Sequence, residues 1–127
     1  MDNHGHQKKV LVIEDDQFVR DIYVDILKER HFMVDVAADG QEGLTKLLQG
    51  GYDIVLLDIM MPKMNGIQVL TELKKARPKP KLGPIIVLTN LAHDPVLKEA
   101  IDLGAHFYLI KSDLTPDEFG ERVASFA

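Results

Sequence analysis

Short apolar runs alternate along this chain with longer segments in which apolar residues recur at helical spacing. The runs are too short for core helices and rich in strand-forming side chains, which is typical of strands buried on both faces. They lie at residues 9–13, 33–37, 54–57, 85–88 and 106–110. Five strands alternating with five helices predict an α/β fold, a doubly wound five-stranded parallel sheet with helices on both faces. The expected strand order is 2-1-3-4-5, the flavodoxin-like arrangement.

The helical segments each carry an apolar stripe that we expect to face the sheet. The inward residues are predicted to be Phe18, Val19, Ile22, Tyr23, Ile26 and Leu27; Leu44, Leu47 and Leu48; Ile67, Val69, Leu70 and Leu73; Val96, Leu97, Ala100 and Ile101; and Phe119, Val123 and Phe126. Arg20, Asp21, Lys28 and Glu29 are predicted on the opposite side of the first helix.

Residue types favoured at helix starts precede several of these segments. Asp16 and Asp94 are predicted N-caps, and Asn65-Gly66 opens the third helix. Capping boxes are predicted for Asp39 with Glu42 and for Thr115 with Glu118.

Composition limits the class of protein. A chain of 127 residues fits one domain, predicted over residues 8–127, after a flexible arm at residues 1–7 that lacks periodicity. The absence of cysteine excludes disulfides and thiolate metal sites. With no apolar membrane span and no signal peptide, we expect a soluble, cytoplasmic protein that does not bind membranes. The net charge of −5 argues against nucleic-acid binding by this domain.

The segment from Arg77 to Pro84 contains three prolines and several basic residues, so it predicts a loop. It is either a solvated connector or a contact surface.

Polar side chains end four of the five predicted strands. Glu14 and Asp15 follow the first strand, Asp58 the third, Thr89 the fourth and Lys111 the fifth. Carboxyl ends of parallel strands meet at one edge of the sheet, so these groups should converge. Three neighbouring carboxylates repel one another unless one takes up a proton or a hard divalent cation such as Mg²⁺, or Mn²⁺, neutralises them. Beside such a cation, the Asp58 carboxylate is suited to attack phosphorus and form an aspartyl phosphate.

These strand ends carry longer motifs: Leu-Val-Ile-Glu-Asp-Asp, Leu-Asp-Ile-Met-Met-Pro followed by Asn-Gly, Val-Leu-Thr, and Gly-Ala-His-Phe-Tyr-Leu-Ile-Lys. With them the chain resembles the response-regulator receiver domains of bacterial two-component signalling, of the chemotaxis-regulator-like kind. The resemblance covers residues 8–127. It implies a phosphorylation-activated switch that catalyses its own phosphorylation and slow autodephosphorylation, and no turnover of an external substrate.

The resemblance implies roles position by position. Asp58 matches the phosphoacceptor, Asp15 the direct magnesium ligand, and Glu14 an acid acting mainly through a metal-bound water. The main-chain carbonyl of Met60 matches the third protein ligand. Thr89 and Lys111 match the hydroxyl and the lysine that contact the phosphoryl group in the family.

Tyr108 resembles the switch aromatic, which in the family turns inward as the threonine moves toward the phosphate. The implied phosphate donor is a histidine kinase or a phosphotransfer protein. The implied readout is the face made by the fourth helix, the fifth strand and the fifth helix, which would bind an output domain, a target protein or a second receiver.

The chain departs from the commonest family pattern at several positions. Ser112 follows Lys111 where proline is usual, so we expect a trans bond with a shifted loop, or strain. Asn90, directly after Thr89, is larger than the small residue often found at this position in the family, so we expect it to narrow access to Asp58 or to add a hydrogen bond. In the family, the side chains two positions after the phosphoacceptor and two after the threonine flank the path of the hydrolysing water. Here they are Met60 and Leu91, neither of which can orient a water, and this predicts a long-lived phosphorylated state. His106-Phe107 stands where the winged-helix transcription-factor class usually carries two acids that form salt bridges in its dimer, which argues against that dimer here.

Three other classes share some of these features. A haloacid-dehalogenase-type phosphatase needs an acid two residues after its nucleophile, where this chain has Met60. A flavodoxin-like cofactor binder needs phosphate-cradling residues where this chain has Glu14, Asp15 and Asp16, which would repel phosphate. The remaining alternative is a non-phosphorylated pseudo-receiver that acts as a protein-interaction scaffold.

Overall fold

The structure, a computed structural model, describes residues 7–90 and 95–127. Its strands are β1 (Lys9–Ile13), β2 (Met33–Ala37), β3 (Ile54–Asp58), β4 (Ile85–Thr89) and β5 (Phe107–Ile110). Its helices are α1 (Gln17–Glu29), α2 (Gly40–Gln49), α3 (Gly66–Lys75), α4 (Pro95–Asp102) and α5 (Pro116–Ser125). The strands form one parallel sheet in the order 2-1-3-4-5, which confirms the predicted fold.

The register of the sheet brings the carboxyl ends of the central strands level with one another. Ile13 pairs with Leu57 across β1 and β3, and Asp58 pairs with Leu88 across β3 and β4. Thr89 pairs with Ile110, one residue before Lys111. The polar residues that end these strands therefore share one edge of the sheet.

Two apolar clusters cover the two faces of the sheet, as a doubly wound fold requires. One contains Leu11, Val55, Leu57 and Val87 with side chains of α2, α3 and α4. The other contains Val10, Val12, Leu56 and Ile86 with side chains of α1 and α5. Alternate residues of each strand point to opposite faces, so both faces of β1, β3 and β4 are buried.

The helix starts follow the predicted capping chemistry. Asp16, Asn65 and Thr115 each accept a hydrogen bond from the main-chain N–H three residues on, and Asn65 and Thr115 form full capping boxes. Asp39 caps α2 in the same way, but Glu42 accepts from the N–H of Ala38 instead of closing the box on Asp39. The predicted cap at Asp94 lies outside the described residues.

The prediction of core-facing residues is wrong at several positions. Phe18 is 75% exposed, and Ile22, Leu48 and Ile101 are also exposed. In α1 the buried stripe follows Tyr23 and Leu27. Each residue turns the helix by about 100°, so Ile22, one position before Tyr23, lies away from that stripe, and Phe18, four residues before Ile22, lies on the same side as Ile22.

Arg20 is also not purely solvent-facing. Its guanidinium donates to the Glu14 carbonyl at 2.8 Å.

The region around β5 differs from the expectation in detail. The strand begins at Phe107, one residue later than predicted, although the His106 N–H still donates to the Ile85 carbonyl at 2.8 Å. Lys111–Asp113 form a short 3-10 turn that was not predicted. The peptide bond between Lys111 and Ser112 is trans; the cis bond among the described residues is Arg77–Pro78, in the predicted loop.

The described part of the chain contains no helix with the length and apolar character to cross a bilayer. Residues 1–6 of the predicted arm lie outside the described residues.

Candidate functional site: an acidic cleft at the carboxyl edge

Three carboxylates meet where β1 and β3 end. Glu14, Asp15 and Asp58 each place an oxygen within 4.8 Å of the others. Glu14 and Asp58 are 2% and 4% exposed, whereas Asp15 is more accessible. The sheet register causes this meeting, because β1 and β3 are neighbours and both end at this edge.

Lys111 brings a positive charge into the same cluster from the end of β5. Its Nζ lies 2.8 Å from Glu14 Oε1 and 3.4 Å from Asp58 Oδ1. Burial by itself would lower the pKa of Lys111, but the hydrogen bond to Glu14 and the charge of Asp58 outweigh burial and raise it. Lys111 is therefore held as a cation facing two buried acids. We call Glu14, Asp15, Asp58 and Lys111 the acidic cleft.

Burial raises the pKa of Asp58 to about 7, and the neighbouring Glu14 carboxylate adds to the shift while Lys111 opposes it. The pKa of Asp15 is also raised, first by burial, with a further contribution from Glu14. Both shifts have the same two causes: burial, which is the larger, and repulsion from the neighbouring Glu14 carboxylate.

The remaining predicted site residues lie at the edge of the cleft or away from it. Thr89 is buried at the end of β4, beside β3. The Met60 N–H donates to Asp58 Oδ1 at 3.3 Å, and the Met60 side chain is 65% exposed. Tyr108 is half exposed on β5 and is not part of the carboxylate cluster. Leu91 lies outside the described residues.

Two residues support the site although no site role was predicted for them from the sequence. Arg20 anchors the loop after β1 through its bond to the Glu14 carbonyl. Gly66 brings α3 against the main chain of Asp58 and Ile59, and its N–H donates to the Ile59 carbonyl at 3.0 Å. The Asn-Gly pair at the start of α3 was a usable signal for the close approach, whereas nothing in the pattern around Arg20 distinguished it from a solvated charge.

The donor set of the acidic cleft fits a hard divalent cation. Carboxylate oxygens, one of them accessible, are the ligands that Mg²⁺ prefers. An added cation would offset the burial of the Asp58 carboxylate and the repulsion from Glu14, which together raise its pKa.

The chain is similar in sequence and in fold to known receiver domains and response regulators. The family model of the response regulator receiver domain matches residues 10–124. The transcriptional regulatory protein HprR of Escherichia coli is 37% identical over 118 residues, which is 91% of this chain and 48% of that protein. DltR of Streptococcus agalactiae is 38% identical over 103 residues, 81% of this chain and 45% of that protein. The chemotaxis protein CheY4 of Vibrio cholerae superposes with a TM-score of 0.84 at 25% identity, covering 96% of this chain and all of that one.

The chain belongs to the response regulator receiver domain family. It is a receiver domain of the kind that acts as a phosphorylation-activated switch in two-component signalling. The chain spans about half the length of the curated relatives it matches.

Proposed function

We propose that Asp58 is the phosphoacceptor of this receiver and that the acidic cleft carries out the transfer. The observation that carries the proposal is the convergence of three carboxylate oxygens within 4.8 Å of one another, with Lys111 Nζ 3.4 Å from Asp58 Oδ1. In the transfer, an Asp58 oxygen forms a bond to phosphorus as the bond from phosphorus to the donor's histidine nitrogen breaks. The electron pair of that bond stays on the nitrogen.

Glu14, Asp15, Asp58 and the Met60 carbonyl would hold Mg²⁺, with Mn²⁺ as an alternative. The bound cation supplies charge neutralisation for the phosphoryl oxygens. Lys111 then pairs with one phosphoryl oxygen as a point charge, and the Thr89 hydroxyl donates to another. The N–H of Met60, already directed at the Asp58 carboxylate, keeps one carboxylate oxygen oriented.

The donor would be a histidine kinase or a phosphotransfer protein, and the place of action the cytoplasm, where such partners present their phosphohistidine. The readout would use the face formed by α4, β5 and α5, toward an output domain, a target protein or a second receiver. A cavity of about 670 Å³ on this face supports the assignment. Aromatic side chains line it, including Phe107 and Phe126, which stack with ring centres 4.6 Å apart.

Tyr108 would act as the switch residue of that face. It lines the same cavity and is half exposed, so an inward turn would change both the shape and the polarity of the surface. Phosphorylation adds charge and acceptor oxygens at Asp58, and the movement of Thr89 toward them would open the space that Tyr108 fills.

The direct test is intact-mass measurement after incubation with Mg²⁺ and acetyl phosphate. We expect the mass of one phosphoryl group on the wild-type chain, none on Asp58→Asn, and none when EDTA replaces Mg²⁺. Asp16→Asn is the matched control, because Asp16 is an exposed acid close in sequence that caps α1, and it should be phosphorylated normally. A wild-type chain that gains no mass would instead support the pseudo-receiver scaffold.

The lifetime of the phosphorylated state is a second part of the proposal. Met60 offers an exposed thioether side chain beside Asp58 that cannot orient a water for attack on the phosphoryl group. Leu91 matches the second position that flanks the hydrolysing water in the family, and its apolar side chain cannot orient a water either, so we expect slow loss of phosphate. Met60→Asn combined with Leu91→Glu should shorten the lifetime in a decay assay that follows intact mass, and an unchanged lifetime would contradict this reading.

A further inference from the structure

A second concave site lies at the opposite edge of the sheet from Asp58. A cavity of about 320 Å³ opens between the end of α3, the start of β4 and the end of α4. Its apolar lining includes Leu70, Leu73 and Ile85, which are buried, and Leu82, which is partly buried. The volume is at the lower end of the range for ligand pockets, about 300–1,000 Å³, and suits one or two apolar side chains. We call it the basal pocket.

Positive charge is concentrated around the basal pocket. Residues 74–81 contain five of the 15 lysines and arginines of the chain and no acid, in a protein with a net charge of −5. All five side chains are exposed, and Lys74 and Lys79 line the pocket itself. Asp102 is the acidic residue among the lining residues; its carboxylate lies 3.8 Å from Lys98 Nζ.

The cations nearest the pocket are bonded to carbonyls and not to carboxylates. Lys79 Nζ donates to the Lys74 carbonyl at 2.6 Å, and Arg77 donates to the carbonyls of Lys74 and Ala76 at 3.1 and 2.7 Å. Lys74 Nζ donates to the Asp102 carbonyl at 3.4 Å. Within the described residues, none of these three side chains has a carboxylate within 4.0 Å. Their charges are therefore not paired with a carboxylate of the described residues and are available to an anionic partner.

The combination of an apolar pocket and a basic rim selects the kind of occupant. A small inorganic anion would use the charge and leave the apolar lining unused, and a flat membrane surface would use only the rim. A peptide with acidic residues on either side of one large apolar residue would use both. Nucleic acid is disfavoured by the net negative charge of the chain.

We propose that the basal pocket binds an acidic peptide segment of a partner protein, with one apolar side chain inserted between α3 and α4 and carboxylates paired with Arg77 and Lys79. This surface is separate from the acidic cleft, since Ile85 begins β4 and Asp58 ends β3. Ile101 lines both the basal pocket and the cavity on the α4–β5–α5 face, so the two surfaces adjoin along α4.

The probe is a short synthetic peptide of glutamates around a central phenylalanine, titrated into ¹⁵N-labelled protein and followed by NMR. We expect saturable shifts confined to residues 70–85 and 101–104. Replacing the phenylalanine by serine should weaken binding by about tenfold, the effect of 1.4 kcal/mol. Arg77→Glu with Lys79→Glu should weaken it by at least that factor. The matched control is Lys8→Glu with Lys28→Glu, which changes the net charge equally at exposed sites and should bind as the wild type does.

Each other result overturns the proposal. Equal weakening by the control pair would mean unspecific charge attraction, and equal binding of the serine peptide would mean that the pocket is not used. Shifts of the same residues with inorganic phosphate alone would indicate an anion site. Stronger binding to phosphatidylglycerol vesicles than to the peptide would indicate a membrane surface, and absence of saturable shifts would leave a solvated connector.

Discussion

Gly66→Ala tests how the main chain around Asp58, the proposed phosphoacceptor, is held. A Cβ at Gly66 would lie 2.8 Å from the Asp58 carbonyl oxygen and 2.9 Å from Ile59 Cα. Ordinary van der Waals contact begins at 3.4 Å, so the new methyl would be 0.6 Å too close to the oxygen and 0.5 Å too close to the carbon. Both atoms belong to the main chain and cannot rotate away, so β3 and α3 must separate.

Overpacking of this size typically costs about 1–3 kcal/mol, and we expect the free energy of unfolding to fall by that amount. The same displacement moves the Asp58 carboxylate relative to Lys111 and to the Met60 N–H. Since misplacement by 1 Å costs roughly a hundredfold in rate, a shift of about half that size should slow phosphorylation by roughly tenfold.

Gly120→Ala is the matched control. A Cβ there would contact the far end of the Arg30 side chain, which can move, and Ile26 Cγ2 at 3.0 Å. We expect less than about 1 kcal/mol of destabilisation and an unchanged rate. Stability is measured by urea unfolding followed by circular dichroism, and the rate by intact mass with acetyl phosphate and Mg²⁺. A Gly66→Ala chain phosphorylated at the wild-type rate would refute the positioning argument, as would equal slowing in Gly120→Ala.

Three further predictions concern stability. Tyr52→Phe should cost about 1 kcal/mol, because its hydroxyl donates to Asp35 at 2.6 Å. Burial alone would raise the pKa of Asp35, but this bond and Lys46 lower it below its ordinary value of 3.8. The stabilisation is therefore fully present above pH 3.8 and is lost as pH falls below 3.8 through the lowered pKa, so urea titrations should show the difference between wild type and Tyr52→Phe closing below pH 3.8. Mg²⁺ at about 100 times its dissociation constant should raise the free energy of unfolding by about 2.7 kcal/mol against an EDTA reference, and by less in Asp58→Asn. Leu70→Ala, at a fully buried position, should cost about 2–5 kcal/mol in the same assay, and a smaller loss would mean that the core collapses around it.

The sheet and the membership of the acidic cleft could be predicted because each depends on a short, local pattern. A buried strand can be recognised from its apolar run. The parallel strand order then brings Asp15, Asp58 and Lys111 to one edge of the sheet, so their convergence can be predicted before any distance is known. Which charged groups pair with one another inside the cleft could not be predicted in the same way. Lys111 lies closer to Glu14 than to Asp58, and it begins a 3-10 turn that no local pattern specified.

The errors on the helix surfaces have a different cause. Periodicity identifies a helix that has an apolar side, but the width of the buried stripe depends on how far the sheet extends beneath it. Phe18 and Leu48 satisfy the period and are nevertheless exposed, because the period does not specify that width. The network of Asp35, Lys46 and Tyr52 was missed because its members come from β2, α2 and the segment between α2 and β3, and none is unusual in its own segment.

The placement of charge in this fold also decides which test of the basal pocket is informative. In a parallel α/β sheet the helices run against the strands, so helix N-termini lie at the edge that carries the acidic cleft and helix C-termini at the edge that carries the basal pocket. Cations at a helix C-terminus are stabilised by the helix dipole whether or not they bind a partner. The bonds of Arg77 and Lys79 to the last carbonyls of α3 are therefore what folding alone would favour. Weakening by charge reversal is expected of any acidic ligand near such an edge, whereas dependence on the apolar side chain requires the pocket itself. The phenylalanine-to-serine comparison is consequently the measurement that separates a binding site from a well-capped helix.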